Sequence, residues 1–214
     1  MRKPDKVLKN LSVIKKVIKD NNKYFVSKTL DELSLVYLGF CIHFFSYLDA
    51  YNTLFLQKNY YSCLGIHRIL IDLYIKVRLL DTVPQPEKLA QWILKDNQIK
   101  KYKTELGIKP LSDINLCKYF DKIDKNYDSE KFSDTGWLEN QYKLYSTYVH
   151  PTYKSCSHYL LRKAKDISNP VEDFPIRQDE AEQFEFLSLK LLEYLTNLFV
   201  KICKKYDIND KISL

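Results

Sequence analysis

Apolar residues recur at helical spacing through almost the whole chain. Val7, Leu8, Leu11, Ile14, Val17 and Ile18 form one stripe over residues 5–20, and Asp20, Asn21 and Asn22 end it. A second helix is predicted from about Leu30 to Gln57, apolar almost all round. Within it, the 16 residues from Leu33 to Leu48 include no Asp, Glu, Lys or Arg. A membrane span needs roughly 20 apolar residues. This stretch is shorter and carries Ser34, His43 and Ser46, so it reads as a central helix buried on most sides, with no membrane contact expected.

Punctuation residues divide the remainder. Asn59 is placed to cap a third helix that runs to about Asp81. Pro84 and Pro86 close it and open a fourth over about 87–104, which Gly107 and Pro110 end. Ser112 caps a fifth helix through about Lys125, and the polar stretch 126–136 is a loop. A sixth covers about 137–149. Pro151 bars its continuation and pushes His150 toward extended backbone. Thr152 caps a seventh through about Lys165, and residues 169–177, with two Pro, form another loop. The last helix begins at Asp179-x-x-Glu182, a capping-box-like start. It carries Phe184, Leu187, Leu191, Tyr194, Leu195, Leu198 and Ile202 on one face. No strand, repeat or low-complexity tract is expected.

These elements predict an all-α, single-domain bundle of about seven or eight helices around a four-helix core. Residues 1–28 supply an N-terminal helix and linker, 29–165 the core helices, 166–177 a loop, and 178–207 a C-terminal core helix. The core itself is assigned to 30–57, 59–81, the broken pair 137–165, and 178–206.

Composition adds less than it first suggests. The chain of 214 residues carries a net charge of +7, which favours anionic partners such as RNA. Its Lys are spread evenly, and the scarcity of Gly and Ala beside abundant Lys, Asn, Ile and Tyr looks like an AT-rich codon bias. A solvated surface and a true anion-binding role both stay open. A partner protein or a homodimer also fits. The five Cys are odd in number and form no Cys-x-x-Cys pair, so reduced thiols and a cytoplasmic location are expected; no signal peptide is visible.

Arg68 stands out. Only five of the 34 basic residues are Arg, and this one lies in the apolar run from Leu64 to Ile75. Lys is the chain's ordinary cation, so an Arg among Ile and Leu points to its fork of donors. Asp72 follows four residues later, on the same helical face. Burying an ion pair costs several kcal/mol per ion, roughly, before attraction offsets it. The pair is then a register lock or a guanidinium held for a phosphate or carboxylate, or Arg68 simply points to solvent. His67 reads as a neighbour of Arg68, not a partner.

A second constellation is Tyr145-Ser-Thr-Tyr-Val-His150-Pro151. Ser146 and His150 are four apart, Tyr142 and Val149 lie close by, and His150 ends a helix where the dipole favours its protonated form. A capping role and general acid/base work are both consistent. His150, Cys156 and His158 lack a fourth ligand and fit no zinc-finger spacing, so no metal or other cofactor is expected. His43 is read as a core His paired with Ser46, Tyr47 or a distant carboxylate, and it can join Arg68, Asp72 and His150 if they meet. No Gly-rich phosphate loop, Gly-x-Ser-x-Gly or His-Glu-x-x-His occurs.

Tyr61-x-x-Leu64-x-x-x-Arg68-Ile-Leu-Ile-Asp72 together with Tyr145-Ser-x-Tyr-Val-His150-Pro151 resembles a bacterial all-helical family of uncharacterised proteins. That family is similar to the HEPN-like helical bundles, many of which are ribonuclease toxins or abortive-infection (phage-defence) proteins. The resemblance covers roughly residues 35–165, with about a dozen specific residues. It implies a metal-independent endoribonuclease or an RNA-binding protein, with Arg68, Asp72 and His150 catalytic and with Tyr145, Ser146, His43 and Tyr142 binding. Typical HEPN ribonucleases carry Arg and His four to six residues apart on one helix. No Arg here has such a His, so Arg68 and His150 would have to converge from different helices. The alternative is a non-catalytic binding module whose Arg/Asp/His cluster is a structural network or a small-anion pocket.

Overall fold

A computed structural model describes residues 31–95, 113–124, 136–149 and 178–205, together with Lys16. All regular structure among the described residues is helical: α1 (Glu32–Leu56), α2 (Tyr60–Thr82), α3 (Pro86–Leu94), α4 (Asp113–Asp124), α5 (Trp137–Val149) and α6 (Gln178–Lys205). The predicted helices over 5–20 and 152–165 lie outside the described residues, apart from Lys16, which is helical and exposed.

Local chemistry sets the helix ends. Asp31 caps α1 by accepting the Ser34 N–H at 2.9 Å. The α1–α2 turn is three residues long, with Lys58 in the left-handed region at φ 58°. Asn59 does stand at the N-cap of α2, but its side chain makes no capping bond. Its carbonyl instead accepts the Cys63 N–H. Pro86 opens α3, where a missing N–H costs nothing. That helix closes at Leu94, and the rest of its predicted span lies outside the described residues.

α2 is the hub. It packs against α1, α3, α4, α5 and α6, and its buried residues include Cys63, Leu64, Leu70, Ile71, Tyr74, Val77 and Leu80. Ring contacts give the directions. α5 runs antiparallel to α2, because Tyr61 meets Tyr148 and His67 meets Tyr145. α6 runs parallel to α2, because His67 meets Phe184, Tyr74 meets Tyr194 and Asp81 pairs with Lys201. α1 is antiparallel to α6 through Tyr51–Phe184 and Tyr37–Phe199.

α1 is long and apolar enough to cross a membrane by length and composition alone, yet half of its most apolar window is buried against the other helices. The expectation of burial on most sides needs correction. Tyr37, Phe40, Cys41, Phe44, Leu48 and Tyr51 are buried, whereas Leu35, Ile42 and His43 face outward.

α4 positions α5 directly. Both Asp121 carboxylate oxygens accept the first backbone N–H groups of α5, from Leu138 at 2.8 Å and Glu139 at 3.0 Å. These are donors that a helix cannot satisfy internally, and a carboxylate there also suits the positive end of the dipole. Gly136, at φ 99°, turns the chain into this end.

Candidate functional site

Arg68 faces α5 from the middle of α2 and is 8% exposed. Its Nε donates to Ser146 Oγ at 2.8 Å. Its Nη1 pairs with Asp72 on the same helix. The flat of the guanidinium lies 3.9 Å from the centre of the Tyr142 ring, a cation–π contact. Ser146 in turn donates to the Tyr142 carbonyl oxygen at 2.5 Å, so one hydroxyl both accepts from Arg68 and closes a turn of α5. Helical spacing explains the cluster. Arg68 and Asp72 are one turn apart on α2, and Tyr142 and Ser146 are one turn apart on α5.

α4 contributes the outer edge. The Tyr142 hydroxyl reaches Asp113 Oδ2 at 3.5 Å. Burial raises the Tyr142 hydroxyl above its usual range; Arg68 opposes that rise, and Asp113 and Asp72 add to it. Burial likewise pushes the Cys117 thiol up to about 12, Asp121 adds to the rise, and Arg68 opposes it. Cys117 is therefore a neutral thiol at the edge of the guanidinium's field. Asp72 is the more open member of the ion pair, with 37% of its side chain exposed against 9% for Arg68. The cluster thus holds a desolvated guanidinium on three sides.

The expected site residues divide. Arg68, Asp72, Ser146 and Tyr142 come together. Tyr145 does not join them. It is fully buried between α2 and α6, stacked on His67 with ring centres 4.0 Å apart, and its hydroxyl donates to Gln183 Oε1 at 3.3 Å. His43 is not a core residue. It is exposed on α1 and stacks along its own helix on Tyr47, and no contact among the described residues links it to Arg68. His150, Cys156 and His158 lie outside the described residues, and with them the proposed meeting of Arg68 and His150. No group of three His, Cys, Asp or Glu side chains that could hold a metal occurs among the described residues.

Two buried polar residues on α2 escaped the sequence reading. His67 is 1% exposed, and its ring lies against Tyr145 and Phe184. Its Nε2 finds no hydrogen-bond partner, and burial lowers its pKa to about 3, which keeps the ring neutral. Arg78 is also buried. It donates to the Tyr74 hydroxyl at 2.8 Å and lies over the rings of Phe120 and Tyr194 at 4.9 and 5.0 Å. The signal that singled out Arg68, an Arg inside an apolar helix of a Lys-rich chain, applies equally to Arg78.

The chain matches no protein-family model, no curated protein and no solved structure.

Proposed function

We propose that this chain is a HEPN-like helical protein of the defence or toxin type that acts on RNA, with Arg68 as its phosphate-facing group. One observation carries the reading: the Arg68 Nε–Ser146 Oγ bond ties the hub helix to the turn of α5 that lies four residues before His150. In this reading His150 is the general base or acid for attack of a ribose 2′-oxygen on the adjacent phosphorus. The P–O5′ bond breaks, the 5′-oxygen takes up a proton, and a 2′,3′-cyclic phosphate remains. Arg68 stabilises the charge building on the phosphoryl oxygens, and Asp72 orients the guanidinium. The net charge of +7 supports the approach of a polyanion.

Incubation of the purified chain with RNA in EDTA tests the reading. Cleavage with cyclic-phosphate ends is expected, and His150→Gln should slow it by about 10²–10⁴-fold with the fold intact. Intact RNA at micromolar protein would remove the catalytic role.

A second reading has its own support. Three sides of the Arg68 guanidinium are already occupied by Ser146, Asp72 and Tyr142. That arrangement suits a non-catalytic binding module in which the cluster locks α2 against α5. Under this reading Arg68→Met with Asp72→Leu retains stability, and RNA is neither cut nor bound.

A further inference from the structure

The solvent side of α1 differs from that of every other described helix. Exposed positions on α2, α3, α4, α5 and α6 include Lys76, Lys88, Lys118, Lys143 and Lys201, as expected in a chain of charge +7. The exposed positions of α1 from Leu33 to Leu48 are Leu35, Ile42, His43 and Ser46, with no Asp, Glu, Lys or Arg anywhere in the stretch. Leu35 is 46% and Ile42 is 64% exposed. They stand seven residues apart, two turns on one face, with half-buried Leu38 between them.

Gly39 sits beside Leu38 on this face. A Cβ built there meets nothing within 4 Å among the described residues, so no packing among them requires a glycine at that position. Glycine in a helix interior costs stability relative to alanine, and this chain has only four glycines. A bare backbone on an exposed apolar face lets another helix approach closely.

We propose that this face is a self-association surface, occupied by α1 of a second copy of the chain. Two facts select that occupant. First, a Lys-rich chain repels its own copies over most of its surface, and this uncharged stretch is where two copies meet without opposing like charges. Second, the pattern is self-complementary under a two-fold axis between positions 38 and 39. Antiparallel copies then set Leu35 against Ile42 of the second copy and Leu38 over the open Gly39 of the second copy, and each contact occurs twice. The face is uncharged while each chain carries +7, so the dimer is concentration-dependent and strengthens as salt screens the repulsion between the two copies.

Sedimentation velocity on the full chain from about 1 µM to about 100 µM tests this. A reversible monomer–dimer equilibrium is expected. Ile42→Lys should abolish it without changing the helical CD signal or lowering the Tm measured at about 1 µM, where the chain is monomeric. Gly39→Leu should also abolish it while leaving a folded monomer, because its added side chain points into open space. A wild-type chain that stays monomeric throughout the range overturns the proposal. So does a dimer that survives both substitutions. A loss of Tm in Ile42→Lys at that monomeric concentration would show that the face is covered within the chain, for example by the Val7–Ile18 stripe. Binding of monomer to phosphatidylcholine vesicles would assign the face to lipid. Either result also overturns the proposal.

Discussion

Arg68 on α2 and Ser146 on α5 are 78 positions apart in the chain and 2.8 Å apart in space. The bond is charge-assisted and part-buried, so the hydroxyl cannot be deleted without consequence. Ser146→Ala leaves the Nε–H of a buried guanidinium unpaired and removes the bond to the Tyr142 carbonyl. A loss of about 1–3 kcal/mol is expected from urea unfolding, with an unchanged m-value.

His67 gives the fold a pH dependence of definite sign. Its folded pKa of about 3 lies below the ordinary 6.5, so the unfolded chain binds the extra proton. Its contribution to stability is therefore intact above pH 6.5 and falls progressively as the pH drops from there toward 3. Between about pH 7 and pH 5 the loss attributable to this ring is on the order of 2 kcal/mol. His67→Phe keeps an aromatic ring between Tyr145 and Phe184 and should flatten that part of the stability–pH curve, as followed by denaturant midpoints at each pH.

Asp121 acts as a cap supplied from outside the helix it caps. Asp121→Ala should cost about 0.5–2 kcal/mol and expose the start of α5. Amide exchange at Leu138 and Glu139 should accelerate more than exchange at the middle of α5, because only those two N–H groups lose their acceptor.

Gly65 lies in the interior of α2, where an added Cβ also meets nothing within 4 Å. Gly65→Ala should stabilise the protein by about 0.5–1 kcal/mol, read as a rise in Tm. A fall in Tm would mean that this position carries a close approach the described helices do not show.

Ile71 is fully buried on the hub helix. Ile71→Ala should cost about 2–5 kcal/mol, the range for a core cavity that neighbours only partly fill. The same truncation at exposed Ile42 should cost the monomer far less.

Helix positions were legible in the sequence because apolar periodicity and Pro or Gly stops are local signals. Pro86 and the Phe184–Ile202 stripe both led to described helices. Nonlocal facts were less accessible. Nothing adjacent to Asp121 in the chain indicates that its carboxylate ends at the start of α5. His43, expected in the core, is exposed, and His67, read only as a neighbour of Arg68, is buried, because both stand in apolar runs and only the packing of neighbouring helices decides which side of the run is covered. Arg68 with Asp72, and Ser146 with Tyr142, could each be read from one-turn spacing. Their meeting across two helices depends on the antiparallel register of α2 and α5, which spacing within one helix does not encode.

The parallel pairing of α2 with α6 has a consequence for synthesis. Asp81 and its partner Lys201 are separated by 120 positions, and His67 waits nearly as long for Phe184. The α1–α2 hairpin leaves the ribosome before α6 does, and the side of α2 that α6 covers stays open until residues 178–205 have been translated. Assembly is therefore limited by the arrival of the last helix, and a chain truncated before residue 178 presents a bare hydrophobic hub that chaperones and proteases will engage.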